Sequence, residues 1–165
     1  MSLTPTQKET ARFLIHRYCE RAEDNRSEIH YSQFRPMNHL GRSPSSEFTC
    51  DCSAFVTGAF YWAEIHTKFT VSDPNGLKYN KYGYTGTLLA NNRTRRVPLD
   101  RKFFIGDMGL YGSSLSYTTH VVICRKEGNI EEAIWTSHGS ELGPYPVYMD
   151  YRPDLLVVVR ALSLA

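Results

Sequence analysis

The order of two residue patterns along the chain constrains its fold more strongly than any other feature. Apolar residues recur at helical spacing over 5–25 and from 52 to about 68, and Thr4 with Gln7 forms a capping box at the start of the first helix. From Phe103 onward, short apolar runs alternate with turn residues. We predict strands at 108–111, 119–125, 130–136 and 155–161. Helices first and an antiparallel meander afterwards predict an α+β fold.

Three segments without periodicity are predicted to connect these elements. Residues 26–49 are rich in Ser, Pro, Asn and Arg, which predicts an irregular segment. Residues 70–101 predict a long tyrosine-bearing connection, of the kind that often forms a wall of a substrate site, and 139–146 predict a turn. Because the 165 residues contain no repeat and no linker, we expect one domain over 1–165.

The second helix begins with a cysteine. Asp51 is a good N-cap, and Cys52 follows it at the first helical position. A thiol at this place feels the positive end of the helix dipole and unpaired backbone N–H groups, both of which stabilise the thiolate. We therefore interpret Cys52 as a nucleophile, with a buried structural thiol as the alternative.

Two histidines lie at the ends of adjacent predicted strands. A hairpin centred on Gly128 would pair positions whose numbers sum to about 257, so that His120 faces residue 137. His138 would then lie beside His120. This arrangement predicts that His120 is the base for the Cys52 thiol and that His138 holds the His120 imidazole in the correct tautomer.

Charge and hydropathy exclude several classes of protein. A formal net charge of +2 is too small to indicate a nucleic-acid partner, and the basic run at 91–96 predicts a solvated loop, with contact to an anionic polymer as the alternative. The first thirty residues lack the apolar core of a signal peptide, and no run approaches transmembrane length. We expect a protein that is made in soluble form in a cytoplasm and does not insert into membranes; if it acts outside the cell, another agent must release it.

The four cysteines do not form a metal-binding pattern. Cys19 and Cys124 fall in apolar surroundings typical of small core side chains. Cys50 and Cys52 are separated by one residue, but no second cysteine pair completes a zinc site, and no secretory context supports a disulfide framework. We therefore expect no metal and no cofactor.

Four short motifs together resemble the NlpC family of papain-like cell-wall cysteine peptidases, in particular the peptidase domains of bacteriophage endolysins. The motifs occur in the family's order at 51–56, 106–108, 119–123 and 137–141. The resemblance covers about residues 29–144. It implies a papain-like fold in which a cysteine at a helix N-terminus packs on an antiparallel meander. It also implies that Cys52 is the nucleophile, His120 the general base and acid, and His138 the orienting residue.

The family also carries a tyrosine before the cysteine that helps to bind the oxyanion. Tyr31 in the segment 29–33 matches this tyrosine, and the backbone N–H of Cys52 would be the second donor. The chain departs from the family pattern at Ala54, where many relatives have glycine, and in the twenty residues that separate Tyr31 from Asp51. The alternative is that Tyr31 is only a structural aromatic residue, packed under a loop.

The implied reaction is hydrolysis of an amide bond in a peptidoglycan stem peptide. The Cys52 thiolate would attack the carbonyl, His120 would protonate the leaving amine, and water would release the acyl-enzyme. The family most often cleaves beside γ-D-glutamyl and diaminopimelyl residues. Candidate substrate contacts are Ser53, Tyr84 and Glu141, the last facing an amino group. The resemblance implies a monomer that is made in a bacterial host and acts on the cell wall after release.

Three other functions fit the same residues. A CHAP-type amidase or endopeptidase has the same order of cysteine and histidine but would cut the sugar–peptide amide or a cross-bridge. A bacterial toxin that degrades the peptidoglycan of competitors would use the same chemistry. An inactive wall-binding module belongs to another class, and the presence of competent residues at Cys52, His120 and His138 argues against it.

Overall fold

Helices cover one face of a six-stranded antiparallel sheet in the computed structural model, which describes residues 2–140 and 143–165. The helices are α1 (Pro5–Asp24), α2 (Cys52–Ile65) and α3 (Thr85–Ala90). The strands are β1 (Ile29–His30), β2 (Phe48–Thr49), β3 (Thr94–Val97), β4 (Met108–Ser114), β5 (Tyr117–Lys126), β6 (Ile134–Gly139), β7 (Gly143–Val147) and β8 (Leu155–Ala161). The large sheet has the order β3-β8-β4-β5-β6-β7, and β1 and β2 form a separate parallel pair. The α+β class predicted from the sequence is confirmed.

The residues predicted to start α1 and α2 form the expected capping hydrogen bonds. The Thr4 N–H donates to Gln7 Oε1 at 2.9 Å and the Gln7 N–H donates to Thr4 Oγ1 at 3.2 Å, which completes the predicted capping box. Asp51 caps α2, because its Oδ1 accepts the Ala54 N–H at 2.8 Å. Each cap satisfies amide groups that no preceding helical turn can accept.

Side chains on the two faces of the sheet form separate apolar clusters. On one face, Val121 and Ile123 of β5 pack with the buried faces of α1 and α2. On the other face, Val122 and Cys124 of the same strand pack with Trp135 and the segments that follow β7. This alternation follows from the two-residue period of a strand, and it fixes which side chains of β5 and β6 can meet α2.

Several elements differ from the sequence expectation. β1 and β2 lie in the segment 26–49, which the composition predicts to be irregular, and β6 spans Ile134–Gly139 instead of 130–136. The segment 70–101 contains α3 and β3, and the predicted turn at 139–146 contains most of β7. β3 has exposed arginines and β7 has two prolines, so neither sequence has the apolar alternation of a typical strand. Both are edge strands of the sheet, where exposed side chains and missing amide donors are tolerated. The partner strand, rather than the local sequence, makes each of them a strand.

No helix among the described residues is long and apolar enough to cross a membrane.

Candidate active site

Cys52 lies at the first position of α2 and lines an open groove of about 480 Å³. Residues from four segments, within 31–35, 51–53, 82–85 and 117–119, line this space, which we call the Cys52 groove. The side chain of Cys52 is nevertheless mostly covered, with 4% of the residue exposed. The groove thus gives a substrate a route to a thiol that bulk water hardly reaches.

The protonation state of the thiol differs from the expectation. Burial, assisted by the charge of Asp51, raises the pKa of Cys52 to about 12, although backbone N–H groups of Val121 and Ser53 act in the opposite direction. The backbone N–H groups at the start of α2 lower the pKa of the thiol as expected, but burial outweighs them in the free protein, so the net shift is upward. Cys52 and Val121 of β5, one residue beyond His120, belong to the same buried cluster.

His120 lies near the start of β5, and its side chain points to the sheet face that α2 does not cover. Its ring centroid is 6.2 Å from that of Tyr111 and 6.5 Å from that of Tyr151. Its Nε2 is 2.9 Å from Ser137 Oγ, which in turn is 3.3 Å from the Tyr151 hydroxyl. Burial, with a smaller effect of nearby Arg152, lowers the pKa of His120 to about 4, so the imidazole is neutral at ordinary pH.

The prediction that His138 bonds to the His120 ring is wrong. Val122 pairs with Ser137, so paired positions sum to 259 instead of 257. The loop after β5 is longer than a tight turn, because Gly128 pairs with Phe103 outside the hairpin. In either register Ser137 shares the sheet face of His120, because paired residues of antiparallel strands point to the same side, whereas the next residue, His138, points to the α2 side.

His138 is instead a buried donor to the backbone. Its Nε2 is 2.8 Å from the Cys50 carbonyl oxygen and 3.0 Å from that of His30, so this nitrogen carries the proton. Its ring lies 5.9 Å from that of Phe55 in α2, and its Nδ1 has no hydrogen-bond partner among the described residues. Burial lowers the pKa of His138. This histidine ties β6 to the two segments that precede Cys52.

Tyr31 lies in the Cys52 groove in spite of its separation from Asp51 in the sequence. The parallel pairing of β1 with β2 returns the chain to the start of α2, and the Ser32 N–H donates to the Cys50 carbonyl at 3.3 Å. Burial raises the pKa of Tyr31, so its hydroxyl keeps its proton and can donate to an oxyanion. The long loop therefore does not prevent the predicted placement of Tyr31 beside Cys52.

Arg35 is a residue of the site that the sequence did not indicate. Its Nη2 is 3.1 Å from both carboxylate oxygens of Asp51 and 3.0 Å from Ser53 Oγ, and its Nε donates to the Gly83 carbonyl at 3.0 Å. The guanidinium thus neutralises the N-cap of α2 and fixes the loop that carries Tyr84. No sequence signal marks this arginine, because it lies in an irregular segment and its partners are distant in the chain.

The remaining predicted contacts have different surroundings. Ser53 lines the groove but is buried, and its hydroxyl donates to Asp51 Oδ1 at 3.1 Å. Tyr84 lines the same groove and is largely exposed. Glu141 lies outside the described residues. Within 2–140 and 143–165, no group of three or more histidine, cysteine or acidic side chains is arranged to hold a metal ion.

Comparisons with known proteins add no support to the resemblance that the sequence motifs carry. No family model, no curated protein and no solved structure matches this chain.

Proposed function

We propose that this protein is a cysteine hydrolase that cleaves amide bonds in peptidoglycan stem peptides, with an NlpC-type, papain-like site. One observation carries the proposal: a cysteine at a helix N-terminus opens into a groove and packs in one cluster with the strand of a histidine whose Nε2 is bonded to Ser137. His120 points to the sheet face away from the body of α2, but the charge of Asp51, the N-cap of α2, acts on the pKa of His120, which supports a place for the start of α2 near this ring. Because Nε2 is bonded to Ser137, we propose that Nδ1 accepts the thiol proton. The motif order that resembles the NlpC family supports the choice of peptidoglycan.

The proposed mechanism begins from a neutral pair. As the sulfur of Cys52 attacks the amide carbonyl, the thiol proton moves to Nδ1 of His120, and the resulting oxyanion accepts hydrogen bonds from the Tyr31 hydroxyl and the Cys52 N–H. His120 then gives this proton to the leaving amine as the carbon–nitrogen bond breaks. A water molecule, deprotonated by His120, attacks the thioester and releases a carboxylic acid and the free thiol.

Ser137 replaces His138 as the positioning residue in this proposal. The Nε2–H group of His120 would donate a hydrogen bond to Ser137 Oγ. This bond keeps the proton on Nε2, so that Nδ1 stays unprotonated and can accept the thiol proton. The Tyr151 hydroxyl beside Ser137 would hold the serine in turn. We further propose that the protein acts as a monomer on the cell wall after release from the host cytoplasm.

The test is mass spectrometry of fragments released from diaminopimelate-type peptidoglycan. We expect the parent protein to release peptide-bearing fragments, and Cys52→Ala and His120→Ala each to lower the rate by at least about 10²-fold, as expected for loss of the nucleophile or of the general base. Cys124→Ala is the matched control, because Cys124 is buried on the opposite face of the sheet from α2. Circular dichroism would verify that each variant is folded.

Two outcomes would overturn the proposal. A folded Cys52→Ala variant with full activity would remove the nucleophile, and activity lost in a chelator and restored by zinc would replace the cysteine mechanism by a metal mechanism. A parent protein that binds the wall but releases no fragment would favour the inactive wall-binding module.

A further inference from the structure

The charges in the Cys52 groove cancel. Among the described residues that line it, only Arg35 and Asp51 are charged, and they pair with each other. The other N–H groups of Arg35 are also used: Nη1 is 3.3 Å from the Gln33 carbonyl and 3.2 Å from that of Phe34, and Nε bonds to Gly83. Because a guanidinium has five N–H donors, Arg35 has none left for a ligand.

Tyrosines account for most of the exposed side chains that line the Cys52 groove. Tyr82 and Tyr84 are each 57% exposed, and Tyr117 is 67% exposed. Tyr31 and the threonines at 118–119 add hydroxyl groups to the same lining. The groove therefore presents aromatic faces and neutral hydrogen-bonding groups side by side. Exposed aromatic side chains of this kind are typical of binding surfaces, where one end is apolar and the other meets water.

Close packing positions the Tyr84 ring and the backbone beside it before any ligand arrives. A Cβ atom at Gly86 would lie 2.5 Å from Tyr84 Cε2, so the ring of Tyr84 rests directly on the backbone of α3. Gly83, between Tyr82 and Tyr84, is held at its carbonyl by Arg35, and a Cβ there would lie 2.3 Å from the Asn75 side chain. This part of the groove, which we call the platform, is therefore closely packed against the backbone at both glycines.

The neighbouring wall is joined to the same platform. Thr118 Oγ1 lies 3.0 Å from Thr85 Oγ1, and Thr85 donates to the Thr118 carbonyl at 3.2 Å. These bonds connect the start of α3 to the start of β5, which carries Tyr117. Tyr84 and Tyr117 are thus fixed on two elements that are bonded to each other.

We propose that the Cys52 groove binds the saccharide part of a glycan-linked peptide, so that the enzyme acts on stem peptides still attached to amino sugars. This inference rests on the proposed function. A pyranose ring has an apolar face that stacks on tyrosine, and its hydroxyl and acetamido groups bond to tyrosine and threonine hydroxyls. Removal of the sugars leaves an ammonium group at the N-terminus of the stem peptide, and the described lining offers no unpaired carboxylate for it.

The first experiment compares two matched substrates: a disaccharide-linked stem peptide and the same peptide without its sugars. We expect kcat/KM of the parent protein to be at least tenfold higher for the disaccharide-linked substrate. Tyr84→Ala and Tyr117→Ala should each lower kcat/KM for this substrate about 3- to 10-fold, mainly by raising KM, as expected for loss of one aromatic stacking contact. The loss should be smaller for the sugar-free peptide, so that each change lowers the preference for the disaccharide-linked substrate. Tyr148→Ala is the matched control, because Tyr148 is 54% exposed and does not line the groove.

The second experiment does not depend on catalysis. Tri-N-acetylchitotriose should bind to Cys52→Ala protein and perturb NMR signals of Tyr84 and Tyr117, and the double variant Tyr84→Ala/Tyr117→Ala should lose this binding. Equal kcat/KM for both substrates, or unchanged chitotriose binding by the double variant, would overturn the saccharide proposal while leaving the hydrolase intact. Cleavage of neither substrate, with chitotriose bound at the tyrosines, would overturn the hydrolase and leave the saccharide site.

Discussion

Two neighbouring side chains of β6 have different tasks because they point to opposite faces of the sheet. Ser137 bonds to the ring of His120, and His138 bonds to two backbone carbonyls on the other face. The first contact concerns the orientation of the proposed base. The second concerns the stability of the segments before Cys52. The two positions should therefore respond to substitution in different measurements.

Substitution of Ser137 should change turnover. We expect Ser137→Ala to lower kcat about tenfold with little change in KM, because the loss of one buried hydrogen bond allows the His120 ring to turn or change tautomer. Ser137→Thr keeps the hydroxyl and should recover most of the activity. Steady-state kinetics of fragment release would measure both variants, and an unaltered kcat in Ser137→Ala would remove Ser137 from the site.

Substitution of His138 should change stability. His138→Ala leaves the His30 and Cys50 carbonyls without this donor, so we expect the free energy of unfolding to fall by about 1–3 kcal/mol. His138→Gln supplies an amide N–H and should recover part of the loss. Urea denaturation followed by circular dichroism would measure the change. A His138→Ala protein with parental stability and no activity would return His138 to a catalytic role.

At the scale of elements, α1 and α2 pack closely at a glycine. Tyr18 of α1 lies near two aromatic rings of α2, with centroid distances of 5.4 Å to Phe55 and 6.1 Å to Trp62. A Cβ at Gly58 would be only 2.7 Å from the Tyr18 hydroxyl and 3.1 Å from His39 Nε2. Gly58 is therefore needed for the approach of the helices, although glycine weakens the interior of an isolated helix.

The substitution Gly58→Ala tests this packing, because helix propensity and packing predict opposite signs. Propensity alone would stabilise the protein by about 1 kcal/mol. We expect instead a loss of about 1–3 kcal/mol from overpacking. Tyr18→Phe/Gly58→Ala, compared with Tyr18→Phe alone, should show a smaller loss, because the nearest oxygen is removed. A more stable Gly58→Ala protein would show that the helices are not in this contact.

At the scale of the whole molecule, buried neutral histidines make folding sensitive to acid. His39 lies under α2, with Nε2 2.8 Å from the Ala54 carbonyl, and burial lowers its pKa to about 4. In the unfolded chain a histidine has a pKa of about 6.5 and takes up a proton that the folded protein excludes. The stabilising contribution is therefore complete above pH 6.5 and is lost as the pH falls towards 4.

The free energy of unfolding should show this dependence. For His39 the depressed pKa corresponds to about 3 kcal/mol lost between pH 6.5 and 4. His39→Gln keeps an N–H donor for Ala54 but does not titrate, so its free energy of unfolding should fall less over the same range. Urea denaturation at a series of pH values would measure the difference. NMR titration of His39 in the parent protein is the independent measurement, and a folded-state pKa near 6.5 would contradict the argument.

Features that depend on neighbouring residues could be predicted from the sequence. The capping box at Thr4, the Asp51 cap with Cys52 behind it, and β8 at Leu155–Ala161 follow from patterns only a few residues long. Short-range sterics and hydrogen bonds set these structures, so little information from the rest of the chain is needed. The same patterns were sufficient to choose Cys52 and His120 as candidates.

Features that depend on distant partners could not be predicted from the sequence, because they arise only in the folded chain. The contact of His120 with Ser137 depends on which strands pair and in what register, and paired positions of these two strands sum to 259. Arg35 met Asp51 through an irregular segment that has no periodicity to interpret. Burial by the whole fold, rather than the helix terminus, set the protonation of Cys52. Register, loop path and desolvation are properties of the assembled chain, and local sequence patterns do not contain them.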